Sequence, residues 1–240
     1  MSGFLRWAEL DETDADGTRY PFTLPVVAGL RAAGRLEFDP GVTFLVGDNG
    51  TGKSTLVEAI AVAAGLNPEG GSANFRFATR ATESPLGQHL TLVRGTVRPR
   101  TSFFLRAESF YNVATEIDNL GELRPYGGRS LHERSHGESF LDLATHRFGG
   151  EGLYILDEPE AALSVHGCLA LLVRMKDLLD AGSQFVIATH SPILLASPGA
   201  RILQIDEAGR IGQVDYDDAQ PVAMTRDFLA DPARYLRYLF

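Results

Sequence analysis

Apolar positions along the 240-residue chain follow two rhythms. Short unbroken apolar runs, "GVTFLVG", "GLYILDEPE" and "QFVIATHS", read as strands buried on both faces, as in parallel sheets. Longer stretches, "LVEAIAVAAGL" and "LALLVRMKDLLDAG", read as helices. Strands alternating with helices predict a mainly parallel sheet covered on both sides. At the start, "FLRWAEL" alternates, "DETDADGT" breaks the pattern and "RYPFTLPVV" resumes it, which predicts a strand, a turn and a second strand along an antiparallel edge. Between about residues 66 and 150 the rhythm loosens. Gly and Pro are scattered among the extended pieces "HLTLVRG" and "TSFFLRAESF" and the polar loop "GELRPYGGRS", so this stretch reads as a lobe inserted into a single domain spanning 1–240. The tail predicts a hairpin around Glu207-Ala208-Gly209 and then helix through "AMTRDFLADPARYLRYLF".

Composition narrows the class. With 44% hydrophobic residues the chain can bury a substantial core, and the formal net charge of −9 gives no general attraction to nucleic acid or anionic membranes. Cys168 is the only cysteine. No intrachain disulfide can form, and a reducing, cytoplasmic compartment is the expectation. No apolar run reaches the roughly 18 residues of a membrane span, and the first residues lack the pattern of a signal peptide, so no direct membrane insertion is expected.

The chemistry begins at Gly47-Asp48-Asn49-Gly50-Thr51-Gly52-Lys53-Ser54-Thr55. It matches G-x-x-x-x-G-K-[ST] between a predicted strand and a predicted helix. Glycines let the loop wrap a phosphate chain, and backbone N–H groups with the positive helix end face the phosphates. Lys53 would reach the β- and γ-phosphates, and the Ser54 hydroxyl would ligate Mg²⁺. Farther on, "LYILDE" carries Asp157 and Glu158 to the carboxyl end of a strand, where ligands sit in open α/β sheets. Asp157 would hold Mg²⁺ through a water, and Glu158 would orient and deprotonate the attacking water. His190 ends the next strand at the same sheet edge, and a γ-phosphate contact is its expected role.

"LHERSHGESF" admits two readings. His132-Glu133-Arg134-Ser135-His136 fits the zinc pattern H-E-x-x-H, and Ser135-His136-Gly137-Glu138 fits a helix start able to meet phosphate. The first needs a third ligand, and Ser139 and Asp142 stand where an extended pattern requires Gly and His, leaving His146 and Glu151 as loose candidates.

In this order the motifs resemble those of the ABC-class ATPases: "GDNGTGKST" as Walker A, "SHGES" as the signature, "LYILDEP" as Walker B, "AALS" as the D-loop and "TH" as the switch histidine. The resemblance implies an α/β P-loop NTPase fold of ABC type: a mainly parallel sheet flanked by helices, an N-terminal antiparallel β region and an inserted helical lobe. It implies ATP and Mg²⁺ as ligands, and a homodimer formed on ATP binding. Ser135, Gly137 and Glu138 of one copy would then close on the ATP held by the Walker A residues Asn49 to Thr55 of the other.

Two departures shape the expected function. Transporter subunits continue Walker B with Pro-Thr/Ser and a later Leu-Asp, whereas this chain has Pro159-Glu160-Ala161-Ala162-Leu163-Ser164. That form is similar to soluble non-transporter ATPases of bacteria, related to chromosome-maintenance and overcoming-lysogenization-defect ATPase heads. "FFLRAESFYN" offers no clear glutamine for the Mg²⁺-sensing loop, which makes Glu108 a candidate ligand or, equally, a salt-bridge partner. Tyr20 and Phe22 are expected in the core more than against a base. The resulting expectation is a soluble Mg-ATP hydrolase that drives a conformational switch in an unidentified protein partner. The alternatives are the ATP-binding subunit of a membrane transporter, or a DNA-associated repair or maintenance ATPase.

Overall fold

A computed structural model describes residues 3–11, 17–72, 84–121, 123–126, 128 and 130–240. In chain order its elements are β1 (Leu5–Leu10), α1 (Pro25–Ala33), β2 (Leu36–Glu37), β3 (Val42–Gly47), α2 (Lys53–Ala63), β4 (Leu90–Arg94), β5 (Thr101–Arg106), α3 (Phe110–Leu120), α4 (His136–His146), β6 (Gly152–Asp157), α5 (Val165–Asp180), β7 (Gln184–Ala188), α6 (Pro192–Leu195), β8 (Arg201–Ile205), β9 (Ile211–Val214), α7 (Gln220–Ala230) and α8 (Pro232–Leu236).

Among the described residues, six strands form one sheet in the order β5-β6-β7-β3-β8-β9. The first five run parallel and β9 closes the edge antiparallel, as the second arm of the tail hairpin. Alternation along each strand divides the core between the two faces. Phe44, Phe103, Tyr154, Leu156, Phe185 and Ile187 face a cluster completed by α3, α4 and α5. Leu45, Phe104, Ile155 and Val186 face the other, completed by α1, α2 and a small antiparallel sheet. Gln184 joins the two sheets: its side chain accepts from Leu5 N–H and donates to Leu5 O, each at 2.8 Å. No helix among the described residues is long and apolar enough to cross a membrane.

The antiparallel N-terminal region is present, with a different pairing from the one the sequence suggests. "RYPFTLPVV" is not a strand. Its end opens α1, and β1 pairs instead with β2 and β4. The reason is local. Pro25 takes the first helical position, where a missing N–H costs nothing, and Leu24 before it is held extended (φ −67°, ψ 141°). Val26, Val27 and Leu30 then fall on one buried helix face. The stretch 66–150 contributes to both sheets: β4 pairs with β1, and β5 lies parallel to β6.

Candidate functional site

β3 feeds the phosphate loop directly into α2. Gly52 caps the helix in the left-handed region at φ 96°, and a Cβ there would lie 2.6 Å from Val26 Cγ1, so only glycine fits. The first turn of α1 braces the loop through Val26 N–H to Thr51 O at 3.0 Å. No side chain caps the start of α2, so its leading N–H groups remain available to an anion. Lys53 is 4% exposed, and its Nζ donates to Asp48 O at 3.0 Å. Burial lowers its pKa, against the pull of Glu158 and, behind it, Asp157, Asp48 and Glu160. Thr51 also donates to Asp48 O, and Gln220 of α7 donates to Asp48 Oδ2 at 2.9 Å. Asn49 and Gly50 are exposed at the tip, whereas Ser54 and Thr55 are half-buried. Phe22 belongs to the core, as expected. Tyr20 does not: it is 62% exposed, with its hydroxyl 3.4 Å from Thr55 Oγ1. It sits outside because the chain turns into α1 there and no strand covers it.

β6 brings the two acids to the same edge. Asp157 has a side chain only 4% exposed, and burial pushes its pKa up to about 6 despite the neighbouring Arg106 guanidinium. Oδ2 lies 3.1 Å from Arg106 Nε, while the buried Oδ1 has no hydrogen-bond partner among the described residues. Glu158 follows in the left-handed region (φ 48°, ψ 52°), which turns the chain sharply after the strand. Its N–H donates to Ala188 O at the end of β7, at 2.9 Å. His190 lies two residues beyond, with Nε2 3.7 Å from Glu158 Oε1.

A cleft of about 290 Å³ gathers Ser54, Arg106, Glu108, Asp157 and Glu158, with His136 among its lining residues. Arg106 was not singled out by the sequence. It ends β5 in register with Asp157 and also pairs with Glu58 of α2 at 2.9 Å. The usable signal was the one that exposed Asp157 and Glu158, a charged residue at the end of an apolar run. Glu108 has a side chain 86% exposed and stands 3.7 Å from Arg106 Nε.

The signature opens α4 as a reciprocal cap. Ser135 Oγ accepts from Glu138 N–H, and the Glu138 carboxylate accepts from Ser135 N–H at 3.0 Å and from its hydroxyl at 2.7 Å. Gly137 approaches the turn after Glu158, since a Cβ there would come within 3.0 Å of Ala162 O. The H-E-x-x-H spacing is not realised on one helix. His132 lies in a 3₁₀ turn (Leu131–Glu133) beside Thr115 Oγ1, whereas His136 starts α4 against Phe110.

Among the described residues no three His, Cys, Asp or Glu side chains converge as a metal cage. The buried, unpartnered Asp157 Oδ1 and the nearby Ser54 hydroxyl nevertheless fit Mg²⁺, a hard ion that takes one or two protein oxygens when phosphates and water supply the rest.

The family model described as "AAA domain" matches residues 31–120, which include the phosphate loop. The macrolide export ATP-binding/permease protein MacB of Chromobacterium violaceum is 24% identical over 236 residues, covering 88% of this chain and 35% of that protein. The chain therefore spans about a third of the length of the curated relative it matches. Among solved structures, the SMC head domain from Thermotoga maritima matches at 17% identity over 75% of this chain and 93% of that one, with a TM-score of 0.43. A putative metal-chelate type ABC transporter in an inward-facing conformation matches at 18% over 77% and 75%, with a TM-score of 0.45. In the order of its motifs, the sheet that carries them and the family match across its phosphate loop, the chain is similar to the ABC-class P-loop ATPases.

Proposed function

We propose that this chain binds Mg-ATP and hydrolyses it between two copies docked head to tail, and that the closing and opening of the pair drives a protein partner. One observation carries the reading. The phosphate loop, both Walker B acids and the histidine after β7 meet at one sheet edge, with Ser54, Asp157 and Glu158 sharing a cleft and His190 3.7 Å from Glu158. In this reading the N–H groups of Gly50 to Ser54 and the Lys53 ammonium bind the β- and γ-phosphates. Moving onto phosphate would release Lys53 from Asp48 O and give the buried lysine a counter-anion. Ser54 and Asp157 would hold the ion, whose chemistry is charge neutralisation on the phosphates. Glu158 would take the proton of the attacking water, and His190 would contact the γ-phosphate. Tyr20, exposed beside Thr55, would stack on the base.

Each copy has one Walker A and one signature, so a complete site needs two copies. Ser135, Gly137 and Glu138 would close the partner's site. The single buried cysteine favours the cytoplasm. A second reading, the ATP-binding part of a transporter, draws on the 24% identity to an ATP-binding/permease protein. Co-purification of the chain with a multi-span membrane protein would favour it.

Light scattering during gel filtration of Glu158→Gln tests the main reading. A shift from monomer to dimer only with Mg-ATP supports the paired site. A monomer that still binds ATP would refute it and move the missing half-site to a different protein.

A further inference from the structure

The sequence departs from the transporter pattern at Glu160, where Thr or Ser is usual. A third carboxylate so close to Asp157 and Glu158 opposes the binding of a polyphosphate, and its negative charge is felt at Lys53. Its position therefore calls for a compensating role, and the hydrogen bonds supply one.

Glu160 sits in the 3₁₀ turn Pro159–Ala162 that follows the left-handed Glu158. The sharp bend at Glu158 and the fixed backbone of buried Pro159 aim the turn back toward the end of β7. There Glu160 Oε1 accepts the backbone N–H of His190 at 2.5 Å, a charge-assisted bond. This N–H belongs to the short link between β7 and α6, where no sheet or helix partner takes it. A Thr or Ser side chain, with its oxygen directly on Cβ, would not span the same gap. Alongside, Glu158 N–H is tied to Ala188 O at 2.9 Å and Ser191 N–H to Thr189 Oγ1 at 3.0 Å. Residues 188–191 are thus fixed to the Walker B turn on one side and to themselves on the other. His190 Nε2 is left buried, without a hydrogen-bond partner among the described residues, and 3.7 Å from Glu158 Oε1.

We infer that Glu160 is a positioning residue: through the backbone of His190 it sets the height and direction at which that imidazole meets the γ-phosphate beside Glu158. The inference rests on the proposed role of His190. It adds a specific dependence, since the acid two residues after Glu158 acts on turnover through residue 190. The same turn carries Ala162, whose carbonyl faces Gly137 of the signature helix. A shift of the turn would therefore reach His190.

The test combines turnover with a readout that needs none. Glu160→Ala, Glu160→Gln, His190→Ala and the Glu160→Ala/His190→Ala double variant are compared with the parent. In the parent, the His190 amide proton should resonate downfield, as expected for a short bond to a carboxylate. It should move upfield in Glu160→Ala and move less in Glu160→Gln, which keeps an acceptor oxygen. Glu160→Ala should lower kcat about 10- to 100-fold, because misplacing a contacting group by about 1 Å has effects of that order, while the Kd for ATP stays the same or falls, because a carboxylate that opposes the polyphosphate is gone. In the His190→Ala background the same change should cost nothing further. Independent, multiplying losses in the double variant, or an unmoved His190 amide in Glu160→Ala, overturns the inference. A parent that shows the downfield amide but hydrolyses no ATP when paired overturns the hydrolytic function instead, and with it the catalytic consequence drawn here.

Discussion

Replacing Asp157 by Asn should give the nucleotide-free protein a pH-dependent gain in stability. Burial holds the Asp157 carboxyl near pH 6, from an ordinary 3.8, with Arg106 already pulling it down. Below about pH 3.8 the group is protonated in both the folded and unfolded chain and contributes nothing to the difference. As the pH rises from there to 6 the unfolded chain ionises first, so the folded chain loses relative stability, and above pH 6 the penalty is complete. Roughly two pH steps at about 1.4 kcal/mol each give a ceiling of ~3 kcal/mol. The attraction of Arg106 is contained in that figure and needs no separate correction. Asparagine keeps the shape and stays neutral, so the stability of Asp157→Asn minus that of the parent should climb by up to ~3 kcal/mol between pH 4 and pH 7. At this chain length that is roughly 6–12 °C in Tm. Thermal unfolding of both proteins across that range, without nucleotide, measures it. Subtracting the parent curve cancels the titration of every other carboxylate that is unchanged by the substitution. Mg-ATP should narrow the gap, because the proposed ion site favours the carboxylate that Asn lacks. A difference that stays flat with pH, or a variant less stable than the parent at pH 7 by as much as at pH 4, would refute the argument from burial.

Lys53→Ala should remove measurable ATP binding in a fluorescent-nucleotide titration, because the ammonium that would face the phosphates is lost. Ser135→Ala removes one half of the cap on α4 and should cost about 1 kcal/mol in urea unfolding. Ser135→Arg should leave ATP binding by the single copy intact while abolishing the nucleotide-dependent dimer in light scattering. Gly29→Ala should destabilise the fold by ~3 kcal/mol in the same urea assay, because a Cβ at that point would lie 1.6 Å from Gly209 O in the β8–β9 turn.

What could be read from the sequence was what local geometry encodes. The strands β3, β6 and β7 are buried on both faces and announce themselves as apolar runs, and the glycines and lysine between β3 and α2 carry their loop's conformation in their own residue types. The hairpin at Glu207-Ala208-Gly209 is local for the same reason. β5 was legible as an extended piece, but not as a member of the main sheet. Its partner β6 begins at Gly152, 46 residues after Arg106 ends β5, and such long-range pairing leaves no mark on the pattern of either strand. α1 was misread as the end of an extended run because the apolar stretch through Val27 continues past Pro25, which is a helix start.

The candidate site divides along the same line. Lys53, Ser54, Asp157, Glu158 and His190 each sit in a motif or at a strand end, so their convergence followed once a parallel sheet was assumed. Arg106 and Glu58 do not, because their roles depend on register. Arg106 stands opposite Asp157 only because β5 and β6 align those two residues, and Glu58 reaches it from α2, one turn beyond Ser54. The result is a buried group in which one guanidinium lies between the acid proposed to hold the ion and a second carboxylate, with Glu108 outside them at 3.7 Å. Charge is thus partly balanced at this edge before any ligand arrives. Burial raises the Asp157 pKa, and Arg106 is the largest influence against it, ahead of Ser54 and Lys53, while Glu158 adds to the rise. Glu160 is the intermediate case. Its departure from the transporter pattern was visible in the sequence, but its meaning was not, because the N–H it accepts belongs to His190, thirty residues away on the next strand's loop.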